Sequence, residues 1–298
     1  MGAGIAGAAC ARELGAAGHE VTVLERARTP GGRMASRLLD GRPVDLGASY
    51  LTASGPPFQA VVDDWVARRL ARPWTDTFST ATPEGLEGSK AGPLRYGAPG
   101  GLRSLVEDLA RGLDVRTGTE VARVGPGPVV DGETYDAVVL AMPDPQARRL
   151  LDPALQGLAQ REYEPVLALA ARLDRRDWTF DGVFVNGDDV LAWVADDGSR
   201  RGDAAPVLVA HSTAAFAAQH LEDPAAAEPA LVAALRRVLR VGAPTSTFVQ
   251  RWTYAKPVGE RADPYGLVEG VGLCGDGWGA SKVEAAWESG YRLGRALA

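Results

Sequence analysis

Gly2-Ala3-Gly4-Ile5-Ala6-Gly7 opens this 298-residue chain, and its reading decides the fold. The first glycine of such a run permits a tight turn out of a strand. The second lets backbone touch a pyrophosphate, and the third lets a helix pack close to the sheet. A run of small residues suited to a helix follows, then the apolar stretch Val21-Thr22-Val23-Leu24-Glu25. The helix N-terminus offers free N–H groups and a favourable dipole to phosphate. A carboxylate at Glu25 can accept hydrogen bonds from a ribose 2′-hydroxyl. Strand, helix, strand and acid in that order predict an adenine dinucleotide site.

Gly31-Gly32-Arg33 then turns the choice from NAD to FAD. Two glycines let the chain lie flat against a cofactor, and Arg33 can neutralise a pyrophosphate. The dinucleotide fold calls for a buried strand just before its first glycine, and here only Met1 precedes it. The expectation is therefore that the first β-strand is missing. A start placed too late accounts for this better than a truncated chain, because a central strand's apolar run contributes several kcal/mol of burial at ~25 cal/mol per Å².

Composition bounds the rest. At this length the chain can bury a sizeable core, and 46% hydrophobic with 23% charged residues is ordinary for a globular protein. A net charge of −6 argues against nucleic-acid or anionic-membrane partners. Cys10 and Cys274 fall in a predicted helix and strand with no metal-ligand spacing around them. No signal-peptide pattern or 18-residue apolar span stands out. A cytoplasmic, small-molecule-binding protein is expected, monomeric or homodimeric, with no metal.

The chain in order supports an α/β reading. A hairpin-like piece leads to Val44-Asp45-Leu46-Gly47-Ala48-Ser49-Tyr50, where Gly47 allows another close backbone approach. Helices are predicted over 58–71 and from Leu102 to Leu109 by their apolar spacing. Val115–Thr117 and Glu120–Val124 read as strands, Pro128–Tyr135 as a hairpin, and Ala137–Ala141 as a buried parallel strand. From about 146 to 264 the pattern becomes a mostly antiparallel sheet under helices, including Phe248–Tyr254, where Trp252 and Tyr254 share a face. The end returns to the opening theme. Gly272-Leu273-Cys274-Gly275-Asp276 is a short strand closing on a Gly-Asp pair, followed by a last helix. Asp276 can accept hydrogen bonds from ribityl hydroxyls, or can cap the helix as a turn residue.

Together these stretches resemble the FAD-dependent amine oxidase superfamily, and within it the bacterial renalase-type, protoporphyrinogen-oxidase-like oxidoreductases. The opening fingerprint with Gly31-Gly32-Arg33 carries the superfamily likeness. Val44–Tyr50, Tyr96–Leu102 and Leu273–Gly290 narrow it. Trp178, Gly182–Asn186, Leu191–Val194, His211-Ser212 and Arg251–Pro257 are similar to renalases in order and spacing. The resemblance implies a Rossmann-type FAD-binding domain over 1–52, 98–145 and 265–298, with an inserted α+β substrate domain over 53–97 and 146–264. It implies that Gly2, Gly4, Ile5, Ala6 and Gly7 line the pyrophosphate, that Glu25 and Arg26 meet the adenosine end, and that Gly32 and Arg33 lie near pyrophosphate and flavin. Gly47, Ala48 and Ser49 would run beside the isoalloxazine, and Val121 would present backbone to adenine. Gly275, Asp276 and the amides of Lys282 and Val283 would hold the ribityl chain and flavin carbonyl edge.

The implied chemistry is hydride transfer from a small reduced substrate to flavin, with O₂ as acceptor giving H₂O₂. Renalase-like enzymes take the 2- and 6-dihydro isomers of NAD(P). Tyr96, Trp252, Tyr254 and Trp278 are candidates to line a flat substrate site; each can equally fill a core. Lys256 and Lys282 match no active-site lysine context and read as surface charges. An amine oxidase or desaturase acting on another small molecule, or a flavin-binding protein without turnover, are the competing readings.

Overall fold

The structure, a computed structural model, describes residues 1–259 and 261–298. Helix α1 (Ile5–Ala16) follows the fingerprint directly, and its first seven residues, Ile5 to Ala11, are all buried. Small side chains make this burial possible. A Cβ on Gly7 would stand 2.0 Å from the Gly2 carbonyl oxygen, so only glycine lets the helix pack onto its own entry. Strand β1 (Thr22–Glu25) follows. A 3₁₀ turn over Gly32–Met34 then leads into the hairpin β2 (Ser36–Leu39) and β3 (Arg42–Asp45). Next come α2 (Pro56–Ala67), the long hairpin β4 (Arg72–Thr82) and β5 (Gly85–Gly97), α3 (Leu102–Ala110) and β6 (Asp114–Thr117).

The expected strand Glu120–Val124 does not form; only β7 (Val124–Gly125) pairs, in a small meander with β8 (Val129–Val130) and β9 (Glu133–Thr134). The reason is local. Gly118 turns the chain with φ +67, and the Asp131 carboxylate takes the Ala122 and Arg123 amides that a ladder would have used.

The chain continues through β10 (Val138–Ala141), α4 (Asp144–Leu150), β11 (Tyr163–Arg172), β12 (Gly182–Val185), β13 (Leu191–Asp196) and α5 (Asp197–Arg201). After these lie β14 (Val207–Ser212), α6 (Ala214–Gln219), α7 (Glu228–Leu239), β15 (Ser246–Pro257), β16 (Gly266–Val268), β17 (Val271–Cys274) and α8 (Val283–Leu297).

Two layers result. In the first, β1 pairs in parallel with β6, and β10 pairs in parallel with β17, which β16 flanks. Residues 1–3 join the two sets. Gly2 N–H donates to Leu24 O (2.8 Å), Ala141 N–H donates to Met1 O (2.8 Å), and the Met1 ammonium donates to Val139 O (2.6 Å). Met1–Ala3 thus hydrogen-bond on both sides, between β1 and β10, as a middle strand does. The terminal helix α8 lies against α1 so closely that a Cβ on Gly290 would stand 1.9 Å from Ala6 O. Head and tail of the chain are one packing unit.

In the second layer seven strands run in the order β15-β11-β14-β13-β12-β4-β5. All pairs are antiparallel except β12 with β4. One face of this sheet is the apolar core beneath α7, with Leu231, Leu235 and Val238 against Leu167, Leu169, Val183 and Leu208. The other face carries Trp252, Trp193, Phe78 and Phe184 and packs toward β2–β3 and Tyr50. No described helix is long and apolar enough to cross a membrane.

Candidate active site

The N-terminus of α1 has no capping side chain and no acid in its first turn. Its first N–H groups are those helix geometry leaves without partners. In front of them the chain is bare. A Cβ on Gly4 would meet only the Cα of Gly32, at 4.0 Å. Gly32 itself needs φ +53 to pass there, and the Gly31 amide donates to Ala3 O (2.9 Å) to hold the pass. Glu25 sits at the end of β1, its carboxylate accepting the Ala3 and Ala27 amides at 2.7 Å each. The loop after β6 folds onto the same corner, with Gly118 N–H to Ala27 O and Thr119 N–H to Glu25 O, both 3.0 Å. This brings the segment leading to Val121 beside Glu25; Val121 is half-buried against Val124 and its neighbours, and Arg26 is exposed.

From the far end of the chain, Asp276 reaches Arg33. The guanidinium donates to both carboxylate oxygens, at 2.6 and 2.8 Å. It also donates to Ala255 O (3.1 Å) and lies over the Tyr163 ring at 5.6 Å. Burial alone would lower the Arg33 pKa; Asp276 and Tyr163 more than offset this and raise it. Asp276 caps no helix: its carboxylate is committed to Arg33. Gly275 needs φ +141 and has open space where a Cβ would point, and its amide donates to the buried Ser289 hydroxyl of α8 (3.0 Å). Sequence reasoning missed Ser289; its position on the small-residue face of α8 was the available signal.

The Lys282 amide differs from expectation. It donates to Ala280 O (2.7 Å), because the turn before α8 closes on itself there. Val283 begins the helix, where N–H groups stay free.

Leu46–Tyr50 is pinned from the seven-stranded sheet. Leu46 O accepts Nε1–H of Trp252 (3.0 Å) and lies 3.1 Å from Nε2 of His211. Ser49 Oγ accepts Nε1–H of Trp193 (2.9 Å). The buried Arg200 donates to Ser49 O (2.7 Å) and Asp45 O (3.0 Å). A Cβ on Gly47 would strike Arg33 O at 1.9 Å and crowd Trp252, so this strip runs between Arg33 and Trp252. Burial, with the nearby charges of Lys256 and Arg200, pushes the His211 pKa down to about 3, so the ring is neutral and Nε2 carries the proton toward Leu46 O. Behind the strip, Asp197 bridges Arg42, Arg200 and Arg201, which hold its pKa down to about 2 against the opposing effect of burial. Asp45, which accepts from Ser36 and the Leu102 amide, is pushed the other way by burial.

The aromatic candidates fall in different places. Trp252 lies at the strip. Tyr254 meets Tyr163 edge-on (6.5 Å) and accepts from Arg149. Trp278 lies under the Arg261 guanidinium (4.1 Å), close to Gly266. Tyr96 bridges Leu51 through its backbone and packs against the core around Phe58 and Trp65. Two surface depressions, of about 350 and 670 Å³, lie against α2–α3 and α2–α8 and include none of the fingerprint residues.

A bare helix N-terminus, glycines with open space before them, an acid at the end of β1 and an Arg–Asp junction between the chain ends make up the candidate dinucleotide site. The comparisons agree. Residues 1–65 match the NAD(P)-binding Rossmann-like domain, and residues 70–297 match the flavin containing amine oxidoreductase family. The chain belongs to that family of FAD-dependent oxidoreductases. Over 52 residues it is 48% identical to hydroxyneurosporene desaturase of Rubrivivax gelatinosus, a match spanning 17% of this chain and 10% of that one. Among solved structures, a candidate protoporphyrinogen oxidase from Exiguobacterium sp. 255-15 superposes with TM-score 0.80 at 15% identity, covering 99% of this chain and 97% of the other. Cyclohexylamine oxidase from Brevibacterium oxydans gives 0.75 at 15% identity over 99% and 96%. Identities this low speak for the fold.

Proposed function

We propose that this chain is an oxidase that takes hydride from a small, flat, reduced substrate, with 2- and 6-dihydro isomers of NAD(P) as the substrate class and O₂ as electron acceptor. FAD held by the fingerprint glycines and the Gly275–Asp276 turn would supply the two-electron chemistry of such an oxidase. The chain's own residues orient and wall the site. The observation that carries this reading is the state of the groups touching the Leu46–Ser49 strip. Trp252, His211, Trp193 and Arg200 each spend a donor on that strip. His211 stays neutral. None of these four is a poised proton acceptor, and hydride loss from a dihydropyridine needs none. Two free, buried cysteines support a cytoplasmic setting.

An amine oxidase or desaturase reading has one observation in its favour. Lys256 lies on β15 four residues after Trp252, and its charge is felt at His211. Anaerobic mixing separates the readings. Bleaching of the flavin absorbance by dihydronicotinamide isomers, with no response to amines, supports the first. Bleaching by amines alone overturns it. A yellow protein that neither reduces overturns both and leaves a binding role.

A further inference from the structure

Arg95, at the end of the outermost strand β5, is buried at 7% exposure, yet no carboxylate of the described residues lies within ion-pair distance of it. Its Nε and Nη1 have no hydrogen-bond partner. The guanidinium lies 3.8 Å from the Phe78 ring centroid and 5.9 Å from that of Tyr50. Its Nη2 rests over Gly92, where a Cβ would stand 2.8 Å away, so the absent side chain makes the seat. The other buried arginines at this interface are matched: Arg200 and Arg201 share Asp197. An unmatched buried cation is costly, and ring faces offset only part of that cost. Charge balance asks for an anion.

The sheet order says where that anion sits relative to the strip. Across the face toward Tyr50, Trp193 (β13), Phe184 (β12) and Phe78 (β4) follow one another and make close ring contacts, with Arg95 (β5) at the end. Tyr50, next in chain to Ser49, packs on Trp74, Phe78 and Trp193. Phe184 is 41% exposed, so the face reaches solvent at that ring, beside the buried Phe78 and Trp193.

We propose that Arg95 and the aromatic floor beside it form an anion subsite, which takes an anionic group of a flat small-molecule substrate whose other end lies toward Gly47–Ser49. This rests on the reading above for the flavin's position, but the subsite can be tested apart from it. Protein carrying its flavin is titrated with benzoate and, separately, with uncharged benzamide. Tryptophan fluorescence reports on Trp74 and Trp193, and the flavin difference spectrum reports on proximity to the cofactor. Benzoate is expected to bind at least tenfold tighter than benzamide. Arg95→Gln is expected to lose that tenfold advantage, Arg95→Lys to keep part of it, and benzamide to bind all three proteins alike. Arg95→Gln is also expected to melt no lower than wild type without ligand, with benzoate raising the melting temperature of wild type but not that of Arg95→Gln. Equal affinity for the two probes, no binding of either, or an unchanged benzoate affinity in Arg95→Gln overturns the subsite. A fluorescence response with no flavin perturbation keeps the anion site and removes its link to the flavin.

Discussion

Arg33 and Asp276, 243 positions apart, face each other in a two-pronged ion pair of 2.6 and 2.8 Å that ties the turn after β1 to the turn before α8. Asp276 is largely buried and Arg33 is about a quarter exposed. Removing one partner leaves the other short of compensation in a partly screened setting, so Arg33→Gln or Asp276→Asn should each cost about 1–3 kcal/mol. Urea unfolding of both singles and the double variant measures the coupling. Additive losses show that the pair contributes nothing jointly.

Backbone approaches set a second expectation. Gly7→Ala and Gly290→Ala each drive a Cβ to within 2.0 Å or less of a carbonyl oxygen that packing holds in place. Both should fail to fold or melt far below wild type. Gly15→Ala, in the same helix as Gly7 but with nothing within 4 Å, should instead gain about 0.5–1 kcal/mol. Thermal melts separate these outcomes; equal behaviour of Gly7→Ala and Gly15→Ala contradicts the packing described.

His211 links stability to pH. Its folded pKa is about 3, below the unfolded value near 6.5. Between these values the unfolded chain binds a proton that the folded one refuses, so stability falls as pH drops from 6.5 toward 3. The size is roughly 2–4 kcal/mol. His211→Asn should lack this fall, so the wild-type minus variant stability difference should decline as pH drops from 6.5 toward 3, measured by denaturant unfolding at stepped pH. A variant that is as acid-sensitive as wild type through that window contradicts a neutral His211.

Burial pushes the Cys10 thiol up to about 12 and raises that of Cys274 as well. Neither should react with a thiol reagent in the native protein, and both should react in urea. Rapid native labelling of either would mean that the α1–β17 core opens readily.

Much of this was legible in the chain because glycine spacing reports backbone geometry directly. Gly2, Gly4 and Gly7 stand where their order implies, and Trp252 flanks Gly47 as the alternation in β15 allows. What could not be read were long-range partners. Nothing local at Asp276 distinguishes a helix cap from a mate for Arg33. The amides of Ala122 and Arg123 were lost to an aspartate eight or nine residues downstream, which removed a strand that residue preferences favoured. His211 reaches the Leu46–Ser49 strip from β14 and Arg200 reaches it from α5, between β13 and β14, a convergence that no single stretch encodes.

The central claim is that the fingerprint and the Gly275–Asp276 turn clasp one FAD, with phosphate at Gly4. Gly4→Ala tests it most directly, because the added methyl meets no protein atom closer than 4.0 Å and costs the protein itself only the difference between glycine and alanine at the α1 N-cap. Flavin absorbance per chain and FAD affinity are measured for both proteins, alongside thermal melts without flavin. The account predicts a yellow wild type, a loss of no more than about 1 kcal/mol in the melts without flavin, and at least tenfold weaker FAD binding by the variant. Wild-type flavin content and affinity in Gly4→Ala would contradict it.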